Sequence, residues 1–341
     1  MKRRRFLVSS AAAVACAPLL GASNAGPSLR VLLGKGNPAP LAGGGFELNG
    51  RVYRGTFSRV PQGIVNLVAL DDYLASVIPR EMPPSWPASA LAMQAICART
   101  FVLAHADPAR AYDVLPSDLN QLYEGIDTES SAGRTAVDAT FGRVLLYGGA
   151  AAQVEYSSCC GGHTESASDA WGGAPVPYLS GVVCPYCADA PDFYWTRDIA
   201  FDAIERALSS RLSAMGSLRD VRLGAKDRSG RTREFELLSD RGTAVVRGSD
   251  FRLAVGTRIV RSLLIHVLSV LPPEGTLDAP ILHMEGTGDG HGVGLCQWGT
   301  RGIALLRGST AQMASFYFPG TTIGSWTSVP QRPTSTIFRR R

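Results

Sequence analysis

The sequence predicts an α+β fold: a mixed β-sheet core with a few packed helices and an inserted, small β-rich subdomain. Three observations carry this. Helix-like and strand-like segments are mixed without the regular β-α-β alternation of a parallel sheet. The segment from Ser85 to about His105 has helical periodicity, with Leu91, Ala95, Ala98 and Val102 spaced by four, three and four residues. From about Phe201 to Pro272 a helix-like run gives way to short alternating strands around Gly230, Gly242 and Gly248. With 341 residues, 45% hydrophobic and 18% charged, the chain has a globular composition and can bury a sizeable core.

Taken in order, residues 1–25 read as an export signal. A basic start precedes an apolar run from Phe6 to Leu20, and small residues around Ser23-Asn24-Ala25 suit cleavage. Arg3-Arg4 followed by Phe6-Leu7 matches the twin-arginine pattern. An Arg-rich ordinary secretory leader and a lipoprotein site at Cys16 are the alternatives. No later segment reaches the roughly 18 to 20 uninterrupted apolar residues of a membrane span. The expected location is therefore the periplasm or cell envelope.

Strand-like runs follow at Arg30–Leu33, Gly50–Phe57 and Ile64–Val68, punctuated by Gly43-Gly44-Gly45 and Pro61-Gln62-Gly63. Asp71-Asp72-Tyr73-Leu74 starts a short helix that leads into a Pro-rich turn, Met82-Pro83-Pro84-Ser85-Trp86-Pro87. Ser85 is placed to cap the next helix and Pro87 suits its first turn. Residues 106–127 lack periodicity and resemble an active-site loop, with Gln121 and Tyr123 on it. A second helix is expected over 129–141, then a strand pair, Arg143–Tyr147 and Ala151–Ser157, joined through Gly148-Gly149. After the insertion at about 201–272 come a strand near His266, a glycine-rich stretch and a helix from about Leu295 to Leu306. The body is thus expected over 26–327, with 328–341 a flexible basic tail.

The net charge of +5 argues less for a nucleic-acid partner than it suggests. Lys2, Arg3, Arg4 and Arg5 are four of the 34 basic residues, which leaves 30 against 29 acidic ones, a balance of +1.

Three constellations carry chemistry. Glu81 has apolar neighbours in Met82, Pro83, Pro84 and Trp86, and desolvation of that kind raises a carboxyl pKa and suits it to donate a proton near neutral pH. A surface Glu81 paired with Arg80 fits the same local sequence. Cys160-Gly-Gly-His163 and Cys184-Pro-Tyr-Cys187 place two soft ligands on each of two tight turns, as a closed, structural zinc site requires. Disulfides compete with this reading in an exported protein, but adjacent or closely spaced cysteines rarely meet disulfide geometry without strain. Cys97 and Cys296 read as small buried residues. In Gly286–Gly299, glycines allow close backbone approach to a ligand, while His291, Gln297 and Trp298 add a titratable group, an amide and a stacking surface suited to sugar. No Gly-x-Ser-x-Gly elbow and no His-Glu-x-x-His helix is present.

These pieces occur together in one family. The sequence resembles the SpoIID/LytB lytic transglycosylases in Asn66-Leu-Val-Ala-Leu-Asp-Asp-Tyr-Leu, Glu81-Met-Pro-Pro-Ser-Trp-Pro, Ala95-Ile-Cys-Ala-Arg-Thr, Gly161-Gly-His-Thr-Glu, Trp171-Gly-Gly, Gly290-His-Gly-Val-Gly-Leu-Cys-Gln-Trp-Gly and Phe318-Pro-Gly-Thr. It departs at Cys296, where serine is usual, and at Phe316-Tyr-Phe, where His-Tyr-Tyr is usual. The resemblance implies that Glu81 is the general acid/base in cleavage of the β-1,4 bond between N-acetylmuramic acid (MurNAc) and N-acetylglucosamine (GlcNAc), leaving 1,6-anhydroMurNAc ends. It adds Arg99 to a substrate-binding set of Arg99, Gln121, Tyr123, His291, Gln297 and Trp298, and it strengthens the reading of zinc on Cys160, His163, Cys184 and Cys187 without fixing the ligands. The expected partners are peptidoglycan strands and an amidase or other envelope protein. A silent glycan-binding scaffold and a zinc-dependent peptidoglycan hydrolase are the rival functions; four protein ligands would leave the second no open position for water.

Overall fold

The computed structural model describes residues 26–328 apart from 108, 117–120, 213–215 and 273–279. The leader and nearly all of the expected tail lie outside the described residues.

The fold is α+β, built as several small and mostly antiparallel sheets around two hydrophobic cores. In the first core the strand Gly63–Ala69 lies between Ser28–Gly34 and Thr56–Val60, with Asn66 opposite both Val31 and Phe57. Its last residue runs directly into helix α1, Leu70–Glu81. Asp71 and Asp72 in the first turn of α1 favour its positive end. Leu70, Tyr73, Leu74, Val77 and Ile78 fill its buried side. Pro79 cannot donate to the carbonyl four residues back, and α1 ends two residues later. Met82 is extended, with its N–H still bonded to Ile78 O at 2.9 Å. Glu81 is thus the last helical residue and projects where the chain turns.

Helix α2 spans Ala88–His105. The expected cap is not seen: Pro87 occupies the N-cap with φ −54° and ψ 140°, and no side chain caps the helix, because Pro83–Trp86 forms its own turn through Trp86 N to Pro83 O at 3.0 Å. Nor is the buried surface one narrow face. Nearly every residue from Ala90 to Val102 is buried, since α2 is surrounded by α1, by helix α3 (Ser131–Ala139), by the strand Arg143–Tyr147 and by the helices Gln297–Leu305 and Thr310–Tyr317. Among the described residues α2 alone is long and apolar enough to cross a membrane by length and composition, and here it is the centre of the core.

Helix α3 starts at a real cap, Ser130 Oγ accepting from Gly133 N at 3.0 Å, and is shorter than the predicted 129–141. Arg143–Tyr147 pairs with only two residues, Ala150–Ala151, across the Gly148-Gly149 turn. The chain then leaves that sheet, and Tyr156–Ser157 pairs in parallel with Leu295–Cys296 instead. Gly294 permits this: its φ is +74°, and a Cβ there would sit 2.2 Å from Glu155 O.

The second core is larger than the predicted insertion. Trp195, Ile199, Leu282 and Met284 belong to it, so the strands Tyr194–Ala200 and Ile281–Thr287 are part of that body and its limits lie outside 201–272. Within it a meander, Leu218–Leu223, Glu234–Ser239 and Gly242–Arg247, packs with the helices Phe201–Ala207 and Gly248–Val255. Near the end, Thr310–Tyr317 is helical where no helix was expected, initiated by a capping box between Ser309 and Gln312. The strand Thr322–Ser325 then completes the sheet on Arg143–Tyr147.

Candidate functional site

Glu81, half-buried at the end of α1, meets groups from two distant parts of the chain. Gln297, the first residue of its helix, donates from Nε2 to Glu81 Oε2 at 3.1 Å. Tyr156, brought by the short parallel pairing, donates from Oη to Glu81 Oε1 over a long 3.4 Å. Burial, reinforced by the charge of Glu81, pushes the Tyr156 hydroxyl well above its ordinary pKa, so it stays a donor. Tyr73 is shifted the same way by the same two causes. With one donor on each oxygen, the carboxylate is oriented.

An aromatic ledge flanks this carboxylate. Trp86 from the Pro-rich turn and Trp298, next to Gln297, meet edge to face with centroids 4.9 Å apart. The Arg301 guanidinium lies 5.2 Å from the Trp298 ring and 6.0 Å from that of Trp86.

Three of the expected substrate contacts are interior instead. Arg99 is fully buried, paired with Asp71 at 2.8 Å and donating to Thr140 Oγ1 and to the carbonyls of Val137 and Arg143. Tyr123 is buried and donates to Asn66 Oδ1 at 2.9 Å. Gln121 is buried with Nε2 on Ala98 O at 3.1 Å, behind Tyr156. All three hold loops and helices together: Arg99 because α2 has no solvent side on which a polar residue can face out, and Gln121 and Tyr123 because they bond inward to Ala98 O and Asn66 from the loop that follows it. His291 accepts from Val293 N at 3.1 Å through Nδ1, and its ring packs 5.2 Å from that of Trp171. Gln297 is thus the member of the expected set that bonds to Glu81, and Trp298 is its neighbour in the helix, packed on Trp86. Sequence reasoning missed Tyr156 and Arg301. Neither carries a local signal, apart from the position of Tyr156 in the strand-like Val154-Glu155-Tyr156.

The thiols assemble differently from their spacing. The Sγ atoms of Cys160, Cys184, Cys187 and Cys296 all lie within 4.8 Å of one another. His163 is not in this group: its Nδ1 lies 2.6 Å from Thr164 O, to which it donates. The fourth sulfur of this group is that of Cys296, so the side chains that converge are not the four that the spacing predicted.

Arg231, from a loop of the insertion, reaches into the first core and donates to His163 O at 2.9 Å and to Cys160 O at 2.7 Å. Beside it Glu165 accepts from Ser229 Oγ and Ser166 N, both at 2.7 Å. Burial pushes the Glu165 carboxyl up to about 7, against the opposing pull of Arg231 at 3.7 Å. Burial raises Asp289 too, with Arg261 opposing.

A family profile described as stage II sporulation protein, SpoIID, matches residues 59–147, the stretch holding α1, Glu81 and α2. An uncharacterised protein of Brachyspira hyodysenteriae is 32% identical over 294 residues, covering 84% of this chain and 76% of its own. Stage II sporulation protein D of Bacillus subtilis is 24% identical, covering 76% of this chain and 75% of its own. The amidase enhancer of Bacillus subtilis is 26% identical over 74% of this chain, which matches 40% of that longer protein.

Proposed function

The chain belongs to the stage II sporulation protein D family, and from that premise we propose that it is a lytic transglycosylase of peptidoglycan. It cleaves the MurNAc-β-1,4-GlcNAc bond of glycan strands and leaves 1,6-anhydroMurNAc ends. The observation that supports this best is Glu81 clamped between Gln297 and Tyr156 beside the Trp86–Trp298 ledge.

A hydrolytic glycosidase generally needs two carboxyl groups, one of them to activate water or to act as nucleophile. Intramolecular transfer needs one. Glu81 as the acid gives its proton to the glycosidic oxygen, and the bond to C1 of MurNAc breaks. As the carboxylate it then takes the proton from the C6 hydroxyl of the same MurNAc, whose oxygen closes on C1. The proton balance returns to zero and no water is consumed. Gln297 and Tyr156 orient the carboxyl through both steps, and the indoles offer apolar faces to the sugar rings.

The setting is the cell envelope, reached by the twin-arginine route if Arg3 and Arg4 act as their spacing suggests; replacing both with lysine then abolishes export. The relative named amidase enhancer favours a second reading, a glycan-bound protein that stimulates an amidase without cleaving. Mass analysis of products from purified glycan strands separates the two. Anhydro ends, one water lighter than hydrolysed ends, support the transglycosylase. Intact strands favour the enhancer, and ordinary reducing ends refute both.

A further inference from the structure

A second constellation lies apart from the Glu81 carboxylate. Four cysteines from three separate stretches converge on one point of the first core, each no more than 1% exposed. Cys184 and Cys187 come from one tight turn. Cys160 follows the strand Tyr156–Ser157, and Cys296 is the N-cap of the helix Gln297–Leu305.

A tetrahedral ion with thiolates at about 2.3 Å places neighbouring sulfurs about 3.8 Å apart. Cys160 Sγ and Cys187 Sγ stand at 3.6 Å, and no pair among the four exceeds 4.8 Å. A disulfide needs about 2.0 Å. The surroundings suit thiolates as well. Cys160 N and Gly299 N donate to Cys296 Sγ at 3.2 and 3.3 Å, and Tyr317 Oη lies 3.3 Å from Cys184 Sγ. Donors aimed at sulfur favour its ionised form, the form that binds metal. Gly299 makes the approach possible, for a Cβ there would lie 2.7 Å from Cys184 Sγ.

We propose that Cys160, Cys184, Cys187 and Cys296 bind one zinc ion as a closed tetrathiolate site, with Cys296 rather than His163 as the fourth ligand. Thiolates alone select a soft or borderline ion, and four of them leave no open position for water, so the site is structural. It binds the Cys184–Cys187 turn and the Cys160 loop to the start of the Gln297 helix. This inference is independent of the reaction catalysed.

The test is made on the full chain purified without added metal. Elemental analysis is expected to give about one zinc per chain, with the four thiols titrating only after the metal is displaced. Cobalt(II) exchanged into the site is expected to show the charge-transfer intensity of four thiolates. His163→Ala keeps stoichiometry and spectrum. Cys296→Ser loses one thiolate's share of the band and weakens binding by more than the roughly 10–100-fold that an outer-shell partner is worth. If Cys296→Ser fails to fold, the wild-type cobalt spectrum and His163→Ala still decide. The proposal is overturned by wild-type protein without metal that holds a mapped disulfide among the four cysteines. A three-thiolate spectrum, or loss of metal in His163→Ala, overturns it equally.

Discussion

Replacing Glu81 with glutamine isolates proton transfer from everything else the residue does. In the native protein Gln297 Nε2 donates to one carboxylate oxygen at 3.1 Å and Tyr156 Oη to the other at 3.4 Å. A glutamine amide oriented with its oxygen toward Gln297 turns its NH2 toward Tyr156, whose hydroxyl can accept as well as donate. Both contacts survive, each worth about 0.5–1.5 kcal/mol and the longer one less. Stability is therefore expected to change by less than about 1 kcal/mol, a shift of a few degrees at most in melting temperature. The titrating proton is lost outright. General acid–base catalysis contributes about 10²–10⁴-fold, or roughly 3–5 kcal/mol of barrier. Release of anhydromuramyl products from glycan strands should fall at least ~100-fold, while a pull-down on the same strands stays unchanged. Product formation near the native rate by well-folded Glu81→Gln would refute the assignment. Glu155, Glu165 and Asp289 would then be the carboxyl groups to test.

Arg99→Met leaves Asp71 and three acceptors without their buried donor, so it should cost about 3–5 kcal/mol in denaturant unfolding. Glycan capture per folded molecule should not change, in contrast to a substrate-contact role. Trp298→Ala removes one half of the indole pair and should weaken glycan capture several-fold, up to about tenfold, from lost stacking of about 1 kcal/mol; unaltered capture would move the glycan path away from the ledge. With a carboxyl raised from an ordinary 4.5 to about 7, the folded state holds a proton at Glu165 that the unfolded chain releases. Stability from this group is full below about pH 4.5 and is lost as the pH rises through 7, by up to about 3 kcal/mol. Glu165→Gln should flatten that slope in unfolding measured from pH 4.5 to 8, and an unchanged slope would place the titration elsewhere.

What could be read from the sequence was contiguous. Strand, α1, Pro-rich turn and α2 follow one another from residue 63 to 105, with Pro79 and the prolines of the turn as punctuation, so Glu81 at the mouth of a helix was legible. Its partners were not, since Gln297 lies 216 residues away and Tyr156 75. Spacing also misled where it gave proximity without direction. Cys160 and His163 are two residues apart from adjacency, yet their side chains diverge, while Cys296 closes the cluster from a distant helix start. Arg99 entered the ligand set through the family resemblance; in the fold its charge is interior, and Asp71 with three acceptors from α3 and its flanks meets the cost of burying it. The insertion was recognised by its strands, but its flanking strands look like those of the main body, and only their pairing shows which core they serve.

The pairing of those flanking strands has a consequence for engineering. Tyr194 stands opposite Thr287 in antiparallel register. Cα atoms so paired are about 4.5–5.5 Å apart, a gap that one or two residues bridge. Topologically the second core is a graft on a hairpin stem: it can be excised, exchanged or enlarged without rerouting the chain around Glu81. The graft is also rooted away from the stem, through Ser229 on Glu165, Arg261 on Asp192 and Asp289, and above all Arg231. Arg231 satisfies the carbonyls of Cys160 and His163, and its guanidinium occupies the space beside Gly292 where a Cβ would lie 2.2 Å from its Nη2. A truncated chain would need a new donor at that point, or the loop carrying Cys160 would lose its brace while the hairpin stem closed normally.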